Sequence, residues 1–339
     1  MDETNEDAAI GLRVGPLRLA NNVLLAPMSG ITDWPFRVIA QSYGAGLVVS
    51  EMVQAQYLAD RKADVLLRAE GRGISPFAVQ LAGRDPYWMS EATRLAQDLG
   101  ADLIDINFGC PARKVTNGLS GSALMREPAL ALSLVEAVVG AARVPVTLKM
   151  RMGWDHDDLN APDLARAACD AGVRMITVHG RTRCQFYKGE ADWAFIRRVK
   201  AAVPVPVIVN GDICGVDDAR EAMALSGADG VMIGRGVLGK PWLLGEVATD
   251  FGARPMPAES PWERASRVAA HYERILSHYG TELGVRCARK HVAAYIDAAP
   301  LPEGERARRR KALLRETDPA RVGAGLAALF DETAMELAA

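Results

Sequence analysis

The 339-residue sequence has no long hydrophobic run. No apolar stretch reaches the roughly 18 residues that a membrane-spanning helix needs. The first ten residues, MDETNEDAAI, are acidic, whereas the start of a signal peptide is basic. These two absences predict a cytoplasmic protein with no membrane partner, and a short disordered tail over residues 1–10.

Cysteines are few and show no pairing pattern. The five, at positions 110, 169, 184, 214 and 287, are odd in number and include no C-x-x-C pair. This spacing favours neither a disulfide framework nor a zinc site, so we predict no metal. Most free cysteines pack as small hydrophobic residues. Cys110 differs, because it lies in DINFGCPARKV, between a glycine and a proline and just before Arg113 and Lys114.

A G-x-G-x-x-G motif is also missing after the first predicted strand, which counts against a Rossmann fold. Instead, short apolar runs alternate with helix-length stretches from residue 22 to about residue 236. The runs are continuously apolar, as are strands covered on both faces: VLLAPM, LVVSEM, FAVQLAG, LIDINFG, VTLKMRM, MITVHGR, PVIVNGD and GVMIGRG. Eight strands alternating with helices predict an α/β fold, a (β/α)8 TIM barrel, over residues 11–250.

Polar side chains gather near the C-terminal ends of these strands, the face that holds the active site of such barrels. They are Glu51, Gln80, Asn107, Lys149, Arg151, His179, Arg181, Asn210, Asp212 and Arg235. The longest interval between strand ends, the 42 residues from Asn107 to Lys149, contains the loop with Cys110. Because long βα loops often carry catalytic groups, the pattern predicts an active site that includes Cys110.

The segments VNGDI and MIGRG end the seventh and eighth strands, where barrels commonly bind a phosphate through backbone N–H groups. Their glycines would let a phosphate approach the backbone, and Arg235 adds positive charge. Gln80 could hydrogen-bond a ring edge, Lys149 could place a cation beside it, and the APM segment could pack against it. Together these residues suit a phosphorylated heterocycle such as flavin mononucleotide (FMN).

Beyond residue 239 the composition changes. The segment ARPMPAESP, residues 253–261, contains three prolines and is typical of a linker. Four helix-like stretches follow and predict a separate all-α domain over residues 262–339. Between Trp262 and Arg315 there are 12 Lys and Arg against 6 Asp and Glu, so this part carries +6 and the remainder −8. Such a basic block indicates a polyanionic partner, although a solvated helix face explains the count equally well.

Nine motifs, in order along the chain, resemble the bacterial tRNA-dihydrouridine synthases, and most closely the B subfamily. They are APMSGITDWPFR, SEMV, VQLAG, DINFGCPARKV, GSALM, LKMRMGW, VHGRTRCQFYKGEADW, VNGDI and GADGVMIGRGVLGKPWL. The resemblance runs from about residue 13 to 325 and includes the C-terminal RCARKH. It implies a flavoenzyme in which NADPH reduces FMN, and the reduced flavin passes hydride to C6 of a D-loop uridine in tRNA. Cys110 would then protonate C5.

The resemblance also implies roles for the candidate residues. FMN would be bound by Pro27, Met28, Ser29, Gln80, Lys149, His179, Asn210, Gly211, Asp212, Gly234 and Arg235. Substrate would be bound by Asn107, Arg151, Arg181, Arg286, Arg289 and Lys290, of which the last three share one helix face. A second basic cluster occupies residues 306–311. A uracil inside folded tRNA must be extruded to react, which requires a grip on the RNA elsewhere and gives the basic helices a role. Arg113 and Lys114 could lower the pKa of Cys110 or hold the RNA backbone, and the sequence does not separate the two.

Three other functions fit parts of the pattern. A flavin enzyme acting on a free pyrimidine, similar to a dihydroorotate dehydrogenase, also places an acid or base over its flavin, but it needs no basic helical domain. A flavin-bound tRNA chaperone without catalysis would make Cys110 dispensable. A colourless aldolase barrel would use Lys149 as a Schiff-base lysine. We favour the synthase over all three.

Overall fold

The structure is a computed structural model that describes residues 11–330, so the predicted tail at residues 1–10 lies outside the described residues. An antiparallel hairpin of β1 (Arg13–Val14) and β2 (Leu17–Arg18) comes first. Eight parallel strands follow: β3 (Val23–Leu25), β4 (Leu47–Val49), β6 (Phe77–Ala82), β7 (Leu103–Phe108), β8 (Val146–Arg151), β9 (Ile176–His179), β10 (Val207–Asn210) and β11 (Gly230–Ile233). Between them in sequence, the short β5 (Val53–Gln54) pairs with β6.

The eight strands close into a barrel. Each pairs with the next in sequence, β4 pairs directly with β6, and β11 returns to pair with β3. Nearly every residue of these strands is buried, because one face lines the barrel interior and the other faces the helices. All eight predicted strands and the TIM-barrel fold are therefore confirmed.

The N-terminal hairpin closes one end of the barrel. Residues from the hairpin and from the early parts of the strands form one buried apolar cluster, which includes Leu12, Val14, Leu19, Leu24, Leu47, Leu103, Ile208 and Met232. Since this end is filled with apolar side chains, the polar site must lie at the opposite end, where the strands terminate.

Ten helices accompany the barrel: α1 (Trp34–Ser42), α2 (Ala55–Ala59), α3 (Ala63–Arg68), α4 (Pro86–Asp98), α5 (Arg113–Thr116), α6 (Pro128–Ala141), α7 (Ala161–Asp170), α8 (Trp193–Ala202), α9 (Val216–Ser226) and α10 (Leu243–Asp250). Asp33 and Asp85 accept backbone hydrogen bonds at the starts of α1 and α4, and a proline follows in the first turn of each. This pairing of an acidic cap with an early proline favours helix initiation.

In the part of the chain up to residue 330, four further helices follow: α11 (Pro261–Tyr279), α12 (Thr281–Ala298), α13 (Glu303–Leu313) and α14 (Pro319–Ala327). A capping box of Ser260 and Glu263 begins α11. The helical segment packs on the barrel through α1, where the ring of Phe36 stacks on that of His291 with centroids 5.2 Å apart. The predicted linker has neither helix nor strand over residues 253–260. Within residues 11–330, no helix is both long and apolar enough to cross a membrane.

Candidate active site

Cys110 lies on the connection between β7 and α6, which also carries α5 and a 3₁₀ helix (Gly121–Arg126). The side-chain oxygen of Asn107 accepts hydrogen bonds from the backbone N–H groups of Gly109 at 3.1 Å and Cys110 at 2.9 Å. On the other side, the carbonyl of Cys110 accepts from the backbone N–H and the hydroxyl of Ser122, at 3.1 and 2.9 Å. The backbone of this partly exposed cysteine is therefore held from both sides.

A chain of side-chain hydrogen bonds runs across β6, β7 and β8 next to this loop. Gln80 accepts from Asn107 and donates to Asp105, both at 2.7 Å, and Thr147 donates to Asp105 at 2.6 Å. This network orients the side chain of Asn107, and through it the loop. Burial raises the pKa of Asp105, against the hydrogen bonds from Thr147 and Gln80.

Asp105 is a site residue that the sequence analysis missed. It lies two residues before Asn107 on β7 and is almost completely buried. Alternate residues of a strand point to the same side, so this spacing was the available signal. A carboxylate inside a strand that is otherwise apolar has to find partners within the barrel, and Asp105 does so.

Lys149 connects β8 to β10. Its ammonium group donates to the side-chain oxygen of Asn210 at 2.9 Å, and Asn210 in turn donates to the carbonyl of Met232 at 2.8 Å. Burial and the nearby positive charge of Arg151 lower the pKa of Lys149 to about 8. The lysine thus places a hydrogen-bonding cation of reduced basicity at the end of the barrel.

Asp212, just after β10, binds one cation that follows β9 and one that follows β11. It accepts from Arg181 at 2.8 Å and from Arg235 at 3.2 Å. Partial burial tends to raise the pKa of Asp212, but the hydrogen bonds from Arg181 prevail and hold it below its usual value. The carboxylate therefore remains ionised and neutralises part of the positive charge of Arg181 and Arg235.

His179 adds a neutral ring next to these residues. Burial, together with the charges of Arg151 and Lys149, holds its pKa well below the usual value. Its imidazole occupies the space beside Gly211, whose φ is +120°. A Cβ on Gly211 would lie 3.0 Å from the His179 ring and 2.9 Å from the Cβ of Ala191. The position therefore requires glycine.

The end of β3 lies beside the end of β11, the eighth barrel strand and one of the two where the sequence analysis predicted a phosphate site. A Cβ on Gly234 would lie 3.7 Å from the sulfur of Met28, so the loop with Pro27, Met28 and Ser29 is adjacent to the last strand end. Within the described residues, the backbone N–H groups of Gly234 and Arg235 donate no hydrogen bond. Free N–H groups beside a guanidinium group fit a phosphate, so these residues are compatible with FMN.

Residues 24–329 match the family model described as "Dihydrouridine synthase (Dus)". The chain belongs to the dihydrouridine synthase family. Membership makes it a flavin-dependent oxidoreductase, as the strand-end pattern and the motifs predicted. The match covers most of the barrel and the helices that follow it.

Curated relatives agree with this family over nearly their whole length. "Probable tRNA-dihydrouridine synthase" of Rhodobacter capsulatus is 52% identical over 319 residues, which cover 93% of this chain and 97% of the relative. "tRNA-dihydrouridine synthase B" of Xanthomonas axonopodis is 45% identical, covering 85% of this chain and 88% of the relative. The protein of that name from Pseudomonas aeruginosa is 42% identical, covering 91% and 92%.

A solved structure supports the fold. A chain of the "2-Naphthoyl-CoA Reductase-2-Naphthoyl-CoA complex" aligns with a TM-score of 0.57 and 11% identity, covering 72% of this chain and 52% of that one. At this identity the likeness concerns the barrel architecture alone.

In this dihydrouridine synthase family member, the guanidinium group of Arg151 donates hydrogen bonds to backbone carbonyls. It donates to Gly109 at 2.8 Å, to Thr182 at 2.8 Å and to Phe186 at 2.9 Å. The side chain is 1% exposed. Arg151 therefore ties the Cys110 loop to the loop that follows β9, a role that its position in the sequence did not indicate.

The basic face of α12, formed by Arg286, Arg289 and Lys290, lies near the active-site end of the barrel. Arg286, Arg289 and Lys290 are exposed, and none has a carboxylate within 4.0 Å in residues 11–330. The ammonium group of Lys290 lies beside Gly30, in the loop after β3, where a Cβ would meet it at 2.9 Å. This face therefore borders the barrel mouth.

The second basic cluster, residues 306–311, behaves differently. Arg308 donates to Glu305 at 2.9 Å and Arg310 donates to Asp297 at 2.7 Å. Glu305, which also pairs with Arg309, and Asp297 therefore offset part of the charge of this cluster. Of the two clusters that the sequence analysis singled out, only the face of α12 combines unpaired charge with proximity to the barrel mouth.

Proposed function

We propose that the chain reduces the C5=C6 bond of a D-loop uridine in tRNA to 5,6-dihydrouridine, with FMN as cofactor and NADPH as electron donor. The relatives named above carry tRNA in their printed names, which supports this substrate. The observation that carries the proposal is the placement of Cys110, a fixed thiol at the end of a barrel where Lys149 and His179 also lie.

The cofactor would be held by the residues at the strand ends. The N–H groups of Gly234 and Arg235 would bind the phosphate, and Arg235 would add charge. Lys149 and Gln80 would hydrogen-bond the ring system, and Met28 would pack near it. Bound FMN, reduced by NADPH, would supply hydride for C6 of the uracil.

The chain itself would supply the proton. The thiol of Cys110 would donate its proton to C5 of the uracil and become a thiolate. Arg151, which donates to the carbonyl of Gly109 next to Cys110, would place its positive charge near the thiolate left behind. Neutral His179 would offer a hydrogen bond to a uracil oxygen without adding charge.

Recognition of the RNA would fall to the helical domain that the sequence analysis placed at residues 262–339, through α12. A uracil stacked in folded tRNA has to be extruded to reach the barrel, so the backbone must be held nearby. Arg286, Arg289 and Lys290 would contact phosphates beside the mouth. Arg113 and Lys114, exposed on the Cys110 loop, would contact the RNA from the other side.

Replacing Cys110 with alanine tests the proposal. The variant should retain FMN and oxidise NADPH, because that step needs no carbon protonation, yet form no dihydrouridine in tRNA. Cys169→Ala, on α7 away from the strand-end residues, is the matched control and should behave as the unmodified chain. Loss of both half-reactions in Cys110→Ala would make the residue structural. Release of FAD, or turnover of free uridine or dihydroorotate in place of tRNA, would contradict the proposal itself.

A further inference from the structure

Three buried, metal-ligating side chains meet where the helical segment packs on the barrel. Asp33 precedes α1, His271 lies on α11 and His291 on α12, and they are 3%, 0% and 2% exposed. One ligand atom from each lies within 4.8 Å of the other two. No part of the reaction proposed above uses these residues.

Two nitrogen atoms of this cluster lack a partner. The Nε2 atoms of His271 and His291 are buried and make no hydrogen bond within the described residues. The other ring nitrogen of His271 lies 2.9 Å from the hydroxyl of Tyr295, which orients the ring and leaves Nε2 available. Buried polar atoms are nearly always paired, so two unpaired nitrogens at one place indicate a missing partner.

The rings are also held in place by packing. His271 and His291 lie edge to face with centroids 5.0 Å apart, and both contact Phe36. Asp33 accepts from the N–H of Phe36 at 3.1 Å and from the hydroxyl of Tyr279 at 3.2 Å. Supporting contacts of this kind are what orient the ligands of a metal site.

The charge balance of the cluster favours a cation. Burial raises the pKa of Asp33 to about 6, and burial lowers the pKa of both histidines, which keeps the imidazoles neutral with their lone pairs free. A cation would compensate the buried carboxylate and would pair both nitrogens at once. The positive charge of buried Arg37 lowers the pKa of Asp33 in part, but the Arg37 guanidinium donates to the carbonyls of Thr32 and Glu70 and makes no ion pair with Asp33 within residues 11–330.

We propose that Asp33, His271 and His291 bind a divalent transition-metal ion, and zinc best fits this ligand set. Two imidazoles and one carboxylate are common zinc ligands at about 2.0–2.2 Å, with a fourth position open to water or to a nearby hydroxyl. Around a tetrahedral ion the three ligand atoms would draw together to about 3.3 Å. The ion would join α1 of the barrel to α11 and α12. Because His291 follows Lys290, it would fix the basic face of α12 beside the mouth.

Metal binding by the purified full-length chain tests this site without reference to catalysis. After dialysis against EDTA, the chain should bind one equivalent of Co²⁺ with the visible bands of a tetrahedral site. X-ray absorption of the Zn²⁺ form should show nitrogen and oxygen ligands at about 2.0 Å and no sulfur at about 2.3 Å. Sulfur scattering would instead assign the ion to a cysteine and overturn the proposal.

Three near-isosteric variants and one control complete the experiment. His271→Gln, His291→Gln and Asp33→Asn should each bind Co²⁺ more than about tenfold more weakly. Asparagine still caps a helix, so Asp33→Asn should leave α1 intact. His156→Gln, which removes an exposed histidine, should bind as the unmodified chain does. Binding that survives in all three variants would refute the site. So would an unmodified chain that binds no Co²⁺, in which case ordered water pairs the two nitrogens. If the variants do not fold, the X-ray absorption of the unmodified chain decides alone.

Discussion

Asn107 and Cys110 are joined by a hydrogen bond of 2.9 Å from the backbone N–H of Cys110 to the side-chain oxygen of Asn107. Asn107 is itself held by Gln80, which Asp105 holds in turn. The position of the thiol is therefore linked to three barrel side chains. A change at Asn107 should therefore disturb the Cys110 loop directly.

Replacing Asn107 with alanine should uncouple the loop from the barrel. The N–H groups of Gly109 and Cys110 lose their acceptor, and we expect the free energy of unfolding to fall by about 1–3 kcal/mol. Dihydrouridine formation should fall by more than about tenfold, the equivalent of about 1.4 kcal/mol in the barrier. NADPH oxidation by bound flavin should change little. Urea denaturation and single-turnover assays measure these effects, with Asn117→Ala, an exposed asparagine of the same loop, as the control. Equal losses in both half-reactions would show that Asn107 supports the whole site.

Replacing Gly211 with alanine should weaken the binding of the flavin. The new Cβ would press on the His179 ring and on Ala191, at a φ that alanine rarely adopts, with an expected cost of about 1–3 kcal/mol. Flavin retention after gel filtration should fall accordingly. Gly140→Ala is the matched control, because a Cβ there, in α6, meets no atom within 4 Å. Unchanged flavin retention in Gly211→Ala would mean that the cofactor does not depend on this position.

Lys149 predicts a pH-dependent stability of the flavin-free chain. Its pKa is about 8 in the folded state and near the ordinary value of 10.5 in the unfolded state. Between these pH values the unfolded state binds the extra proton, so stability rises with pH, by at most about 1.4 kcal/mol per unit. The Lys149→Met variant lacks this pH-dependent contribution to stability. Its difference in unfolding free energy from the unmodified chain should therefore change between pH 8 and 10, and should stay constant between pH 6 and 7. Parallel curves over the whole range would contradict the lowered pKa.

The face of α12 predicts the salt dependence of tRNA binding. Each cation that neutralises a phosphate contributes about −0.9 to the slope of log affinity against log salt on duplex. Arg286→Ala combined with Arg289→Ala should therefore weaken binding and reduce the slope by roughly two units. Arg308→Ala combined with Arg310→Ala removes the same charge from residues already paired with acids, and should change the slope much less. Similar slopes for both double variants would mean that net charge, and not this face, attracts the RNA.

The fold was predictable because its signal is local. Each barrel strand is a short apolar run covered on both faces, and residues such as Lys149 interrupt these runs only near their ends. Helices α4 and α7 end two residues before a glycine, Gly100 and Gly172 respectively. The Cys110 loop stood out by its length and by the residues next to the cysteine. In each case residues close together in the sequence predict the strand or the helix. The barrel is then predicted from the repetition of the strand–helix unit.

Contacts between residues far apart in the chain were decided only by the tertiary structure. Pairing of β6 with β7 brings Gln80 to Asp105, and the loops after β7 and β9 give Arg151 three carbonyls to bind, and neither set of contacts has a local signature. Packing of α11 and α12 on α1 brings His271 and His291 to Asp33, more than 230 residues earlier in the sequence. The sequence alone determined which residues are polar at strand ends. Which partner each one meets depends on side-chain geometry after the elements have packed, because hydrogen bonds and ligand contacts form only within a few ångströms.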